Sequence, residues 1–282
     1  MLVKEEMIKA LQNFNIEDDS VLLVHSSLKA LGYIDGGAET VIESLEEIVP
    51  NGTLVMPTLS QKNWETVFED WTLDRPSDVG FITETFRKQK GSLRSDNATH
   101  SVAARGAHAA DLVGGDAKKG ARYGIFGDYC FSHESPWQRM FDSRERYGVK
   151  AYVMFWGCSM KYNTFKHFCE YRLVEEILNG IENSEKRDAA KQSLSHYPVA
   201  PGEPLVWPFY NSEQFGITLE KMGIAKRISL GDGDIICADI YDMVNATEKA
   251  LRDDMQNMIS SRALPWIENA KKMINSLTLK TE

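Results

Sequence analysis

The apolar positions of the chain follow two rhythms. Residues 3 to 14 set Val3, Met7, Leu11 and Phe14 along one stripe, which predicts an amphipathic helix. VLLV at 21–24 and TLVMP at 53–57 are short continuous apolar runs, as expected of strands buried on both faces. Between them, AETVIESLEEIV puts Val41, Ile42, Leu45, Ile48 and Val49 on one helical face, and Pro50, Asn51 and Gly52 stop the helix. Strand, helix and strand in so short a stretch make a βαβ unit with parallel strands. AYVMFWG at 151–157 is a third buried strand. A helix follows it, capped by Asn163 or Thr164 and running to Asn179–Gly180.

Elsewhere the pattern is looser. FITETFRKQKG returns to helix, LRSDNATHSVAARG is a loop running into a strand of small residues, and AHAADLVGG is a short helix. Another helix opens after Ser135, because Pro136 suits a first helical turn. AKRISLGDGDIICADI reads as a hairpin with Asp232–Gly233 at its turn. The end of the chain reads as helical, with Pro265 as an interruption. Residues 60 to 80 lack periodicity and are rich in Trp and acids, a long surface loop of the kind that carries function. The expected fold is α/β: a central mixed, largely parallel sheet flanked by helices, with a C-terminal hairpin and helices. A single domain over 1–282 is the economical reading, with room for a helical lobe at about 181–225.

Composition narrows the partners. The formal net charge of −9 argues against a nucleic acid or an anionic membrane surface. No apolar run reaches the ~20 residues needed to span a bilayer. The first residues carry early acids and no apolar core of a signal peptide. The four cysteines are scattered with no CxxC pair, as expected of reduced thiols in a cytoplasmic protein. Nothing in the composition argues against a homodimer.

Several short motifs could carry chemistry. In CSMKYNTFKHFCEYRL, His167 and Glu170 are neighbours on one helical face, beside an apolar stripe and just past a strand end. A carboxylate beside imidazole fixes its tautomer and suits a general base, although surface pairs of this spacing are common. HSSLKALG follows the first strand. Ser26 and Ser27 can offer O–H and N–H groups to phosphate, and Lys29 adds charge; an ordinary capped turn is the plainer reading. In THSVAARG, His100 is a second candidate base or ligand contact, and Ser101, Val102, Ala103 and Ala104 would let a narrow ligand run along the backbone; a tightly packed strand is the plainer reading. GxGxxG, GxxxxGK[ST], HExxH and GxSxG are all absent. No metal is expected, since Cys169 would point away from His167 and Glu170. A nucleophilic Cys158 or Cys169 would need a histidine adjacent in space.

Taken in order, HSSLKALG, GGAETVIESLEEIVPNGTLVMPT, LRSDNATHSVAARG, FGDYCFSHESPW and GCSMKYNTFKHFCEYR resemble the aminoglycoside 3-N-acetyltransferase family over about residues 20 to 173. The resemblance implies an α/β enzyme that moves an acetyl group from acetyl-coenzyme A to a primary amine. It implies coenzyme A contacts at Ser26, Ser27, Lys29 and Ser135, and a pantetheine channel along His100, Ser101, Val102, Ala103 and Ala104. It further implies a T-x-x-H-x-x-E pattern at Thr164, His167 and Glu170, with the His and Glu as the catalytic pair. Backbone N–H groups near Ser101 to Ala104 are the expected donors to the thioester oxygen.

The departures fall where the acceptor amine should bind. The third motif carries the spacer DNAT, the loop before His167 carries Lys161, and the loop at 60–80 is rich in Trp. They favour an amino sugar, nucleotide-linked and used for surface polysaccharide, over an aminoglycoside whose acetylation confers antibiotic resistance. Thr164 is a candidate contact to the acceptor, and Glu65 and Asp70 are candidate holders of a cationic one. A non-catalytic coenzyme A-binding protein is the distant alternative.

Overall fold

Strand β1 (Val21–Ser26) lies at the centre of a seven-stranded sheet of order β3-β4-β2-β1-β5-β7-β6. The computed structural model describes residues 1–60, 71–114, 129–188 and 211–259, together with residues 264, 268 and 272. β2 (Thr53–Pro57) and β5 (Ala151–Trp156) flank β1 in parallel, with Val21 opposite both Thr53 and Ala151. The α2 helix (Gly37–Ile48) crosses from β1 to β2, giving the expected βαβ unit. β4 (Val102–Gly106) and β3 (Leu93–Arg94) extend the β2 side antiparallel. β7 (Gly233–Asp239) and β6 (Ala225–Leu230) extend the β5 side in the same sense. The sheet is therefore mixed, parallel across its three central strands and antiparallel in both wings, with the C-terminal hairpin in place.

Alternation along the strands divides the core in two. Leu22, Val24, Met154 and Trp156 face one way, under α1 (Lys4–Gln12), α2 and α3 (Phe81–Lys88). Val21, Leu23, Val153 and Phe155 face the other way, under α4 (Ala109–Gly114), α5 (Pro136–Phe141), α6 (Ser143–Tyr147), α7 (Phe165–Asn179), α8 (Ser212–Lys221), α9 (Ile240–Asp253) and α10 (Met255–Met258). Met7 and Leu11 of the first amphipathic stripe are fully buried, and its predicted ends at 3 and 14 shorten by a residue or two.

The hairpin turn sits one position earlier than the sequence pattern predicts. Leu230 pairs with Gly233, so the turn is Gly231–Asp232. Gly231 has φ +60°, and a Cβ there would lie 2.3 Å from the Leu31 carbonyl oxygen. Close approach to Leu31 places the left-handed residue at this glycine.

Arg94 ties the segment beginning at Trp71 to the end of β2. Its guanidinium donates to the carbonyls of Leu73, Arg75 and Thr58 and lies 4.6 Å over the Trp71 ring. All four cysteines are thiols, with no disulfide among the described residues. Among the described residues no helix is long and apolar enough to cross a membrane. Residues 189–210 of the expected lobe at 181–225, and Pro265, lie outside the described residues.

Candidate active site

Because β1 and β5 run in parallel, both end at the same edge of the sheet, with Ser26 beside Trp156. The chain leaves β5 through Gly157, whose φ of +63° turns it sharply; a Cβ there would press on Ser27 and Ala30 at 3.0 Å. A short 3-10 turn (Met160–Tyr162) follows, and α7 then begins. Asn163, not Thr164, supplies the side-chain cap: its Oδ1 accepts from the Phe165 N–H at 3.0 Å. The first turn of α7 faces a cavity of about 750 Å³. His25, Ser26 and Ser27 line it from the end of β1, Pro57 and Leu59 from the end of β2, His100 from the loop before β4, and Thr164, Lys166 and His167 from α7 and its entry. This is the carboxyl edge of a parallel sheet, where ligands bind in open α/β folds.

His167 and Glu170 form one unit. The ring Nδ1 lies 3.0 Å from Glu170 Oε2, and the carboxylate is fully buried while the ring retains some exposure to the cavity. With Nδ1–H donated to the carboxylate, the lone pair belongs to Nε2. The carboxylate alone would favour the charged ring. Burial dominates and, helped by His100 and then Lys166, pushes the His167 pKa well below 6.5. The ring is thus a neutral base at neutral pH, and Glu170 is in place to stabilise the imidazolium once it forms.

Two more histidines share the cavity. His100 packs edge-on to His167, with ring centroids 5.8 Å apart, and burial lowers its pKa to about 4. His25 stacks on Phe155 at 5.3 Å, and burial, with a smaller push from Lys166, lowers its pKa to about 3. The Nε2 of His25 and the Oγ of Ser26 are buried with no hydrogen-bond partner. Orphaned polar atoms at the wall of a cavity are what a ligand with complementary groups would satisfy. They and the hydroxyl of Ser27 fit the amide-rich arm and phosphates of coenzyme A.

The sequence-predicted residues divide into two groups. The cavity gathers Ser26, Ser27, His100, Thr164 and His167, with Glu170 behind His167. Lys29 is exposed on the turn after β1 and does not line it. Nor do Ser101, Val102, Ala103 and Ala104, which are buried in and beside β4; that strand is paired to β2 on one edge and β3 on the other. The Val102 N–H already donates to Ser95 Oγ. Backbone donors of β4 from Val102 on are engaged by the sheet and by Ser95, and none of Ser101 to Ala104 lines the cavity. Ser135 is buried as the cap of α5, accepting from the Gln138 N–H at 3.2 Å. Glu65 and Asp70 lie outside the described residues.

Sequence reasoning missed His25 and Lys166 as cavity residues. The signal for His25 was present: it continues the alternation of Val21 and Leu23, so a polar ring falls on a buried strand face at its carboxyl end. Among the described residues no group of three or more His, Cys, Asp and Glu side chains could hold a metal ion. Cys158 lines the cavity, but burial raises its pKa to about 12 and makes it a poor nucleophile.

Glu170→Gln tests the pairing. The Gln amide can still accept from Nδ1–H, so the tautomer survives while the negative charge behind the imidazolium is lost. The expected kcat falls about 10- to 100-fold, with an unchanged KM for the acyl donor. An unaltered kcat would mean that the carboxylate has no part in turnover.

The sequence profile described as aminoglycoside 3-N-acetyltransferase matches residues 23–252. A prophage-derived aminoglycoside N(3')-acetyltransferase-like protein of Bacillus subtilis, YokD, is 27% identical over 199 residues, 62% of this chain and 68% of the relative. The fold matches the crystal structure of the aminoglycoside acetyltransferase AAC(3)-IVa with a TM-score of 0.66 at 21% identity, covering 96% of this chain and 97% of the other. It also matches AAC-IIIb in its binary complex with coenzyme A, with a TM-score of 0.66 at 16% identity over 89% and 97% of the two chains.

Proposed function

The chain belongs to the aminoglycoside 3-N-acetyltransferase family and is an acyl-coenzyme A-dependent N-acyltransferase, and from that premise we propose that it acetylates an amine of an aminoglycoside, with His167 as general base and Glu170 as its partner. Acetyl-coenzyme A is the co-substrate of this family. The observation that carries the mechanism is the His167–Glu170 pair, its carboxylate buried and its ring opening onto the cavity at the end of β1 and β5.

An amine near pH 7 is mostly protonated, with a pKa of about 10 for a lysine-like group, and only its neutral form attacks a thioester. Nε2 of His167 takes the amine proton as the new C–N bond forms. Glu170 holds the ring in the tautomer that leaves this nitrogen basic and balances the charge it gains. The proton then passes to the departing thiolate. Direct attack within the cavity needs no acyl-enzyme, which agrees with a cysteine held as the neutral thiol.

The names of the relatives support the aminoglycoside acceptor. One observation supports an anionic amino sugar, such as a nucleotide-linked one: Lys161 and Lys166 both line the cavity, and no carboxylate does so among the described residues. Release of free thiol from acetyl-coenzyme A, followed across a panel of aminoglycosides and nucleotide-linked amino sugars, separates the two. The aminoglycoside reading expects the higher kcat/KM on members of the first group. Higher values on the second group would transfer the assignment to anionic amino sugars, and thiol release without any amine would remove both.

A further inference from the structure

Attack on a thioester moves an electron pair onto its oxygen, and that charge needs a donor already in place. The backbone of β4 cannot serve, because its amides are held within the sheet. We infer that the donor is the Nε2–H of His100, an inference that rests on the acyltransferase reading given above.

The argument begins with Asn97. Its Oδ1 accepts from the Thr99 N–H at 3.1 Å, the His100 N–H at 2.8 Å and the Cys130 thiol at 2.9 Å. Three donors more than fill the lone pairs of one amide oxygen. The Thr99 hydroxyl, 3.3 Å from the same oxygen, is a fourth and longer claimant. Two other acceptors are within reach: Cys130 Sγ at 3.1 Å, whose own proton goes to Asn97 and whose sulfur is a weak acceptor, and His100 Nδ1 at 3.0 Å, the stronger of the two. A hydroxyl hydrogen given to Nδ1 makes that nitrogen the acceptor, and the ring proton then resides on Nε2.

The ring is also held in place. Trp137 donates its indole N–H to the His100 carbonyl at 3.2 Å, and Phe131 packs against the imidazole at 5.0 Å. The ring lines the cavity and stands edge-on to His167, so the two imidazoles flank one region of the cleft. One carries a lone pair on Nε2 and the other a proton. An amine nitrogen facing His167 and a thioester oxygen facing His100 place the acyl carbon between them. As the C–N bond forms, the carbonyl π pair moves to oxygen and is met by the His100 Nε2–H. On collapse the C=O bond re-forms, the C–S bond breaks, and the sulfur leaves with the electron pair and the proton held by His167. His100 keeps its own proton throughout, which suits a neutral imidazole whose charged form is disfavoured by burial.

His100→Ala is expected to lower kcat about 10²-fold at saturating acetyl-coenzyme A, with KM for that substrate within about threefold of wild type. His100→Gln keeps a side-chain N–H in the same region and is expected to recover about tenfold of that loss. A second measurement does not depend on turnover. In His167→Ala, where bound acetyl-coenzyme A persists, the infrared stretch of the thioester carbonyl is expected at lower frequency than for free acetyl-coenzyme A. In the His167→Ala/His100→Ala double variant that displacement is expected to vanish. A carbonyl band at the same frequency in both proteins, or a His100→Ala kcat within threefold of wild type, overturns the role of His100 alone. A wild-type protein that transfers acetyl to no amine overturns the acyltransferase reading, and this inference with it.

Discussion

Turnover by His167→Ala at saturating acetyl-coenzyme A is expected to fall about 10³-fold, with coenzyme A binding retained. The size follows from the role proposed for the ring. A protonated amine is no nucleophile, and removing its proton in the same step that forms the C–N bond is the work of a positioned base. His167 is suited to it because its Nδ1 is engaged by Glu170 at 3.0 Å while the ring borders the cavity. Its pKa lies well below 6.5, so the basic form is fully populated across the neutral range. The sign is definite: protonation inactivates, so any loss of wild-type kcat due to this group falls on the acid side, below pH 6.5. In His167→Ala that acid limb is expected to disappear along with the rate. Added imidazole, entering the space left by the ring, is expected to restore part of the activity. Coenzyme A affinity by calorimetry separates a chemical defect from a collapsed site, because Ser26 ends β1 and Ser27 caps the turn after it, both apart from α7. A single-turnover rate equal to wild type would remove His167 from the mechanism.

The centre of the fold was legible because its signals are local. VLLV and TLVMP are apolar throughout, and the helix between them has one apolar face, so strand, helix and strand follow from periodicity alone. The wings of the sheet were less legible. β4 lies against β2 through pairing that no local pattern announces, and Ala103 and Ala104, expected along a ligand channel, are buried within that strand. The pair His167–Glu170 was visible as a spacing on a helix. Its burial was not, since burial depends on α5 and α9 closing over α7. The meeting of His25, His100 and His167 around one cavity is a tertiary fact: each lies at the end or in the approach of a different element, and only the sheet order joins them. Lys29 and Ser135, expected at the coenzyme from their motifs, stand on the exposed turn after β1 and at the cap of α5.

Those three rings also set the largest effect expected on stability, a loss on mild acidification. Folded-state pKa values lie at about 3 for His25, about 4 for His100 and well below 6.5 for His167. Each is depressed, so below pH 6.5 the unfolded chain binds protons that the folded chain refuses. Stability from these groups is complete above pH 6.5 and declines as pH falls from there towards the folded values. At pH 5 a fully depressed histidine contributes about 2 kcal/mol of that loss. His25, with 6% of its surface exposed, takes the full amount. His100, at about 4, takes nearly as much, so these two sum to about 4 kcal/mol, and His167 adds in the same direction. Set against a total stability of about 5–15 kcal/mol, that is a substantial share, and it corresponds to a fall in Tm of about 10 °C between pH 7.5 and 5. Burial would raise Glu17 and Glu84, but hydrogen bonds, chiefly from Lys150 and Arg87, outweigh it and hold both at about 2, so their contribution fades only below about pH 5. His25→Phe keeps a flat ring against Phe155 and removes one titrating group. Its Tm is expected to fall less steeply over the same range, with about 2 kcal/mol of the acid loss gone. A wild-type Tm that stays level from pH 7.5 to 5, or an identical slope in His25→Phe, would show that the rings accept protons in place and that the cavity they line is open to water.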